Sequence, residues 1–244
     1  MRTAIIPGAS GGIGYQTSLA FVKAGYTVVA VYNSNEVSAK KLAEEALKSY
    51  NGIVYPVKSE LASAKSISDG IKEILSEFKS IDVLVNTAGV SYGGLLQDTS
   101  EQDYDRVFNV NMKSAFLLTK AVLPFMIEKK HGKIVNVSSM WGERGASCEV
   151  VYSASTAALI GFTKALAKEV APSGINVTTV LPGVIDTKMN SRLTPEDIDE
   201  LKDSTAMGRI GTPEEIAERI LYLCSEKSSF ITGQAIAADG GFIG

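Results

Sequence analysis

Histidine is nearly absent from this chain: among 244 residues the single one is His131. A Ser-His-Asp hydrolase would have to use it, and a catalytic zinc site would need acids in place of the missing histidines. His131 stands in "EKKHGKIVNV", directly before an apolar run, where a turn residue between helix and strand accounts for it. Cysteine is as scarce. Cys148 and Cys224 are too few and too far apart for a disulfide framework or a metal knuckle, so no metal is expected and a cytoplasmic protein with free thiols is the simplest reading. Long hydrophobic runs are missing too. The first apolar run, Ala4 to Ile6, is too short for the core of a signal peptide, and no stretch reads as a membrane span. There is no long basic block, and the net charge of −3 gives nucleic acid no electrostatic footprint.

What is present is alternation. The runs "TAIIP", "TVVAVY", "IVYPV", "IDVLVN", "KIVNVS" and "INVTTVL" are rich in Val and Ile and barely alternate with polar residues. That pattern predicts strands of a parallel sheet covered on both faces. Amphipathic segments lie between them: "GYQTSLAFVKAG", "SAKKLAEEALKSY", "SAKSISDGIKEILSEF" and the long "QDYDRVFNVNMKSAFLLTKAVLPFMIEKK", with a break expected near Asn111. "TPEEIAERILYLCS" opens with a cap residue, a first-turn proline and two acids, a helix start. Strand–helix alternation with short joins and no linker predicts one α/β domain over 1–244, a doubly wound parallel sheet. Ligands on such sheets bind beyond the carboxyl ends of the strands, where the winding reverses.

The first strand runs straight into "PGASGGIGY". Gly8, Gly12 and Gly14 permit close approach of a pyrophosphate, and the helix that follows would aim its first N–H groups at it. Gly-rich turns also join strand to helix without any ligand, so the placement after strand one carries the weight. The tip of strand two, "VAVYNSNE", has Tyr32 and Asn33 and no acid that would take a ribose 2′-OH and repel a 2′-phosphate. It has no Arg either, and Gly11 stands between the glycines. NADP(H) is favoured over NAD(H), with Asn33 and Ser34 as mere turn residues the alternative.

These pieces together resemble the short-chain dehydrogenase/reductase family over essentially the full length, closest to its 3-oxoacyl-[acyl-carrier-protein] reductase-like members. The matching segments are "GASGGIG", "LVNTAG", "NVN", "IVNVSS", Tyr152, "LPGVIDTKM", "MGRIGTPEEIA" and "ITGQAIAADGG". The resemblance implies a Rossmann-type sheet of about seven strands and carbonyl reduction by hydride transfer, within fatty acid biosynthesis. It implies Ser139, Tyr152 and Asn111 as catalytic residues. Ser139 would hydrogen-bond the substrate carbonyl, Tyr152 would hand it a proton, and Asn111 would hold a helix kink and a relay water. Cofactor contacts are implied at Gly8, Ser10, Gly12, Ile13, Gly14, Asn33, Glu60, Leu61, Asn86, Ala88, Gly89, Tyr152, Pro182, Gly183, Ile185 and Thr187. Glu60 stands where the family has Asp.

Where the family places Lys, four residues after the Tyr, this chain has Thr156 in "YSAST". An ammonium one helical turn from the phenol, at ~4 Å and an effective dielectric of ~20, contributes about 4 kcal/mol, or roughly three units of tyrosine pKa. Lys164 is two further turns away, about 12 Å along the axis, and Lys113 faces away from Asn111, which leaves Lys188 as the open substitute. Thr87 replaces a family Asn, Thr178 another, and Pro7 a Thr. Thr to Pro, Asn to Thr and Lys to Thr each take one A-to-C codon change. Three functions stay open: a carbonyl reductase impaired at Thr156, a sugar or alcohol dehydrogenase, and a catalytically inactive nucleotide-binding or assembly protein.

The substrate side is expected between Ser139 and Tyr152, with Trp141 and Cys148 lining it or merely packing, and in a lid at about 186–208. The substrate is expected to be a small carbonyl compound, carried in one version by an acyl-carrier protein docked on Lys129 and Lys130. Ser173 stands where a second docking cation would be. The resemblance also implies a homotetramer, or a dimer, with contacts around Phe116, Phe162 and the C-terminal strand.

Overall fold

The computed structural model describes residues 2–191 and 193–243. Seven strands, β1 (Arg2–Pro7), β2 (Tyr26–Tyr32), β3 (Val54–Lys58), β4 (Val83–Asn86), β5 (Gly132–Val137), β6 (Ile175–Pro182) and β7 (Ala235–Ala238), form one parallel sheet in the order β3-β2-β1-β4-β5-β6-β7. Winding reverses between β1 and β4, so their carboxyl ends open onto a common crevice, where sheets of this kind hold ligands. Among the described residues nine α-helices accompany the strands: α1 (Gly12–Lys23), α2 (Glu36–Tyr50), α3 (Ala64–Glu77), α4 (Glu101–Phe108), α5 (Ser114–Lys129), α6 (Trp141–Arg144), α7 (Val150–Val170), α8 (Pro195–Asp203) and α9 (Pro213–Leu223).

The strands show little polar alternation because both faces are covered. Ala4 and Ile6 of β1 pack into one layer with Leu19, Phe21, Leu42 and Ile220, while Ile5 between them packs into the other with Ile67, Leu118, Met126 and Val170. Val28 and Ala30 of β2 take the first layer, Val29 and Val31 the second. The period of two is therefore present but hidden by apolar residues on both sides.

Two helical stretches, Glu101–Lys129 and Val150–Ser173, are long and apolar enough by composition to cross a bilayer, which the sequence reading had not found. The first is not one continuous α-helix. A π turn at Asn109–Lys113 separates α4 from α5, at the break expected near Asn111. Both stretches pack in the layer against β4, β5 and β6. For the stretch at about 186–208 a lid is expected, with no helix assigned to it. The structure puts α8 there, started by a capping box between Thr194 and Asp197, with none of its side chains buried.

A polar chain crosses the middle of the sheet. Asn86 Nδ2 donates to Asn136 Oδ1 at 2.8 Å, Asn136 Nδ2 donates to Thr163 Oγ1 at 2.8 Å, and Thr163 bonds the Thr179 hydroxyl. All four side chains are buried, so each bond replaces water that cannot reach them. Asn136→Ala strands a donor, Asn86 Nδ2, on one side and an acceptor, Thr163 Oγ1, on the other, at about 1–3 kcal/mol each. Thermal unfolding should therefore fall by roughly 4–24 °C for a domain of this size. An unchanged midpoint would show that the chain adds no stability.

Candidate active site

The loop after β1 is built on backbone contacts that side chains would prevent. Gly8 has φ +84°, and its N–H and that of Ala9 both donate to the Val31 carbonyl, at 2.9 and 3.2 Å. A Cβ on Gly14 would lie 2.2 Å from the Gly8 carbonyl oxygen, so α1 starts pressed against the loop. The N-cap of α1 is Gly11, which gives no side-chain cap, and its first turn has no acid. By contrast α2, α3, α4, α8 and α9 each receive a side-chain cap. Uncapped N–H groups beside a glycine turn suit the negative charge of a pyrophosphate. Pro7 and Thr87 meet here: the Thr87 hydroxyl donates to the Pro7 carbonyl at 2.6 Å, tying β1 to the segment after β4.

Beyond the carboxyl ends of β2 and β3, Asn33 and Glu60 are exposed and Leu61 is buried. The Ser10 carbonyl accepts from Ser38 Oγ at 3.1 Å, which fixes the loop to α2. Asn35 caps α2 by accepting from the Ser38 N–H. The cation the sequence reading missed is Lys58, at the end of β3 in register with Tyr32. Only the strand register reveals that proximity.

The crevice is lined by Ile13, Ala88, Gly89, Asn111, Ser139, Tyr152, Thr156, Pro182, Gly183, Ile185 and Thr187, all expected from sequence. It also takes in Thr87, Ser91, Trp141, Glu149, Met189 and Asn190. Gly8, Ser10, Gly12 and Gly14 form the loop at its edge, and the Asn86 side chain lies inside the sheet. Cys148 is exposed, outside the lining.

Three groups meet in the crevice. The Trp141 N–H donates to Ser139 Oγ at 3.2 Å, and the Ser139 hydroxyl bonds the Tyr152 phenol. Asn111 is committed elsewhere. Its Oδ1 accepts from the Val90 N–H at 2.8 Å, and its Nδ2 donates to the Val90 carbonyl at 3.0 Å and to Ser155 Oγ at 2.9 Å. Asn111 thus clamps the loop after β4 to α7 through the π turn. Its side chain has no donor left for a relay water.

Thr156 is buried, and its hydroxyl donates back to the Tyr152 and Ser153 carbonyls, both at 3.0 Å. Neither its charge state nor its hydroxyl reaches the phenol. Lys113, Lys164 and Lys188 are all exposed and outside the lining. Among the described residues Glu149 is the one charged side chain that lines the crevice. Burial raises the Tyr152 pKa above the ordinary tyrosine value; the Ser139 hydrogen bond lowers it in part, and Glu149 raises it further.

A serine and a tyrosine in hydrogen-bond contact, beside a glycine turn at the switch point of a parallel sheet, can polarise a carbonyl and protonate it. Residues 8–243 match the family described as Enoyl-(Acyl carrier protein) reductase. The chain belongs to the short-chain dehydrogenase/reductase family. It is 41% identical over 243 residues to "Uncharacterized oxidoreductase YmfI" of Bacillus subtilis, covering 99% of this chain and 98% of that protein. It is 40% identical over 242 residues to the 3-oxoacyl-[acyl-carrier-protein] reductase FabG of Thermotoga maritima, with 99% and 98% coverage. The FabG of Aquifex aeolicus is 40% identical over 240 residues, with 98% and 96% coverage. As a member of this oxidoreductase family the chain retains the glycine turn and the Ser–Tyr pair.

Sequence reasoning missed the Trp141 N–H that holds Ser139, and Ser155 as the partner of Asn111. Backbone donors leave no compositional signal, and Ser155 gains its meaning only from the helix packing. For a dinucleotide, the glycine turn, the bare start of α1 and the Pro182–Thr187 segment fit. A cation to grip the nicotinamide ribose is missing from the described lining. Thr156→Lys should lower the phenolic pKa of Tyr152 by up to about three units. NMR titration of labelled tyrosine reads this directly, and an unmoved Tyr152 resonance would mean that the new ammonium does not reach the phenol.

Proposed function

We propose that the chain is an NADP(H)-dependent carbonyl reductase acting on a 3-oxoacyl thioester or a similar ketone. The observation that carries this reading is the Trp141–Ser139–Tyr152 hydrogen-bond chain in the crevice shared with the glycine turn. NADP(H) is supported by the lack of an acid at the tip of β2 and by Lys58 beside it. Gly8 to Gly14 would hold the pyrophosphate, and Pro182 to Thr187 the carboxamide end. The dinucleotide, when bound, supplies the hydride.

The residues of the chain do the rest. With its oxygen accepting from the Trp141 N–H, Ser139 turns its own O–H to the substrate carbonyl oxygen and stabilises charge that develops there. Tyr152 delivers its phenolic proton to the same oxygen and is left as phenolate. A raised pKa keeps Tyr152 protonated at neutral pH, so it is loaded for reduction but is a weak acid. In the reverse direction the phenolate must act as base. Alcohol oxidation should therefore climb with pH through the alkaline range, and Thr156→Lys should bring that rise toward neutrality.

An acyl-carrier protein as substrate bearer is suggested by the printed names of the FabG relatives. Lys129 is in part engaged already, by Asp82 and by Ser80 Oγ, which leaves Lys130 the freer of the two cations proposed for docking. Assembly as a tetramer or dimer is supported by exposed Phe116, by the exposed Tyr104 with its stacked Phe108, and by β7 as an open sheet edge. Free Cys148 and Cys224 accord with a cytoplasmic setting.

The second reading, a dinucleotide-binding protein without turnover, is favoured by the Thr156 hydroxyl being spent on its own helix. NADPH oxidation with a short 3-oxoacyl thioester separates the two. Thr156→Lys should be faster than the parent by about a hundredfold or more, since it restores part of ~4 kcal/mol. Tyr152→Phe in the lysine background should remove the gain. NADPH binding by fluorescence without turnover in either chain, across a panel of ketones, would leave the binding-protein reading. No NADPH binding at all would sink the cofactor assignment.

A further inference from the structure

The C-terminal segment does more than finish the sheet. After β7 the chain doubles back along the root of the lid. The Ala206 N–H donates to the Gly241 carbonyl at 3.2 Å, the Met207 N–H to the Gly240 carbonyl at 3.1 Å, and the Ile243 N–H to the Ser204 carbonyl at 2.8 Å. Phe242, bridged antiparallel to Thr205, is buried at 4% exposure. Its ring meets Trp141 edge-to-face, with centroids 5.2 Å apart and planes at 88°. Arg144, one turn along α6, sits 5.9 Å from the same ring and reaches Asp239 at 3.6 Å. The residue that Phe242 touches is the one whose N–H holds Ser139 Oγ.

We propose that Phe242 is a positioning residue: it fixes Trp141, and through the Trp141 N–H the Ser139 hydroxyl, to the strand pair that roots the lid. α8 has no buried side chain of its own. Its position is set by two backbone clips, one at 204–207 on the C-terminal segment and one where the Asp186 N–H donates to the Gly211 carbonyl at 2.9 Å. A shift of the first clip moves Phe242, and Trp141 is the next group in contact. The crevice wall and the serine that polarises the substrate are thereby coupled to the lid, over a path of three contacts.

This inference rests on the reductase reading of the crevice, but its first readout does not. Trp141 is the chain's single tryptophan, so fluorescence excited at the red edge, where the nine tyrosines do not absorb, reports the surroundings of this one ring. Acrylamide quenching is measured for the parent, Phe242→Ala, Phe242→Leu and Phe242→Tyr, each with its unfolding midpoint. Turnover is measured for the same changes in the Thr156→Lys background. Phe242→Ala and Phe242→Leu should raise the quenching constant about twofold and lower kcat about tenfold, while KM for a short thioester stays within about threefold. Phe242→Tyr keeps the ring and should restore both. Leu fills the volume without the edge-to-face contact, so it keeps the test valid if the Ala variant fails to fold. Unchanged quenching in the Ala and Leu variants overturns the proposal. So does raised quenching with kcat intact, because Trp141 would then not govern Ser139. Absence of turnover in the parent and in Thr156→Lys on every carbonyl tried removes the reductase reading instead, and quenching alone then decides whether Phe242 fixes Trp141.

Discussion

The shape of the crevice depends on one buried amide. Asn111 bonds the N–H and carbonyl of Val90 and the hydroxyl of Ser155, and Ser155 in turn donates to the Tyr152 carbonyl. Three segments distant in sequence are fixed by that side chain: the loop after β4, the π turn and the first turns of α7. The π turn is what allows it. Its extra residue widens the helix at 109–113 and lets Asn111 face inward while α4 and α5 keep their own packing. An asparagine suits the place because it offers donor and acceptor together in one plane, matching a backbone N–H and C=O at once. Everything that Tyr152 can do follows from where this clamp holds the start of α7.

What the clamp cannot supply is charge. Tyr152 is half-buried, and the protein packed around its phenol favours the neutral form. The Ser139 hydrogen bond is the one effect that lowers the pKa, and it is the smaller one. A cation in the crevice would reverse the balance, yet Thr156 turns its hydroxyl to its own helix, as threonine commonly does in helix interiors. The result is a site with sound geometry and poor electrostatics. Proton donation remains open to it, at the expense of leaving a phenolate with no counter-ion. Geometry and charge are separable here, which is why a single substitution can test one without disturbing the other.

Most of the sheet could be read from the sequence, because parallel strands with two covered faces appear as short Val- and Ile-rich runs. β4 is shorter than its run: Ile81 is core, Asp82 bonds Thr3 and Lys133 through its backbone while its carboxylate accepts from the Thr3 N–H, and regular pairing starts at Val83. The helix break near Asn111 was foreseeable, whereas the π geometry was not, since it answers to tertiary contacts of one amide. In the crevice, the glycine turn was legible through its spacing, and Ser139 and Tyr152 through the family resemblance. The N–H of Trp141 was not, because any residue carries that donor. Lys58 was hidden for a different reason: its distance from the tip of β2 is set by register between strands. Asn86 shows the reverse case, a residue legible as part of a motif whose side chain serves the sheet interior.

The departures from the family pattern do not weigh equally. Pro7 and Thr87 touch each other, and the Thr87 hydroxyl satisfies the carbonyl that Pro7 presents, so this pair keeps β1 and β4 joined at the crevice. Thr87 also stands against the start of α1, where a Cβ on Gly14 would lie 2.7 Å from its Oγ1. The loop's shape is therefore consistent with both residues as they stand. Nothing in the structure explains Thr178, which is buried in β6 beside Val135. Thr156 is accommodated just as well: its hydroxyl is bonded, and a Cβ on the neighbouring Gly142 would lie within 3.0 Å of it. Good packing at 156 means that stability would not report the loss of a cation there. A chain can thus fold fully into the shape of this family while its tyrosine stays a weak acid with a raised pKa, and only the chemistry of that one phenol distinguishes the two conditions.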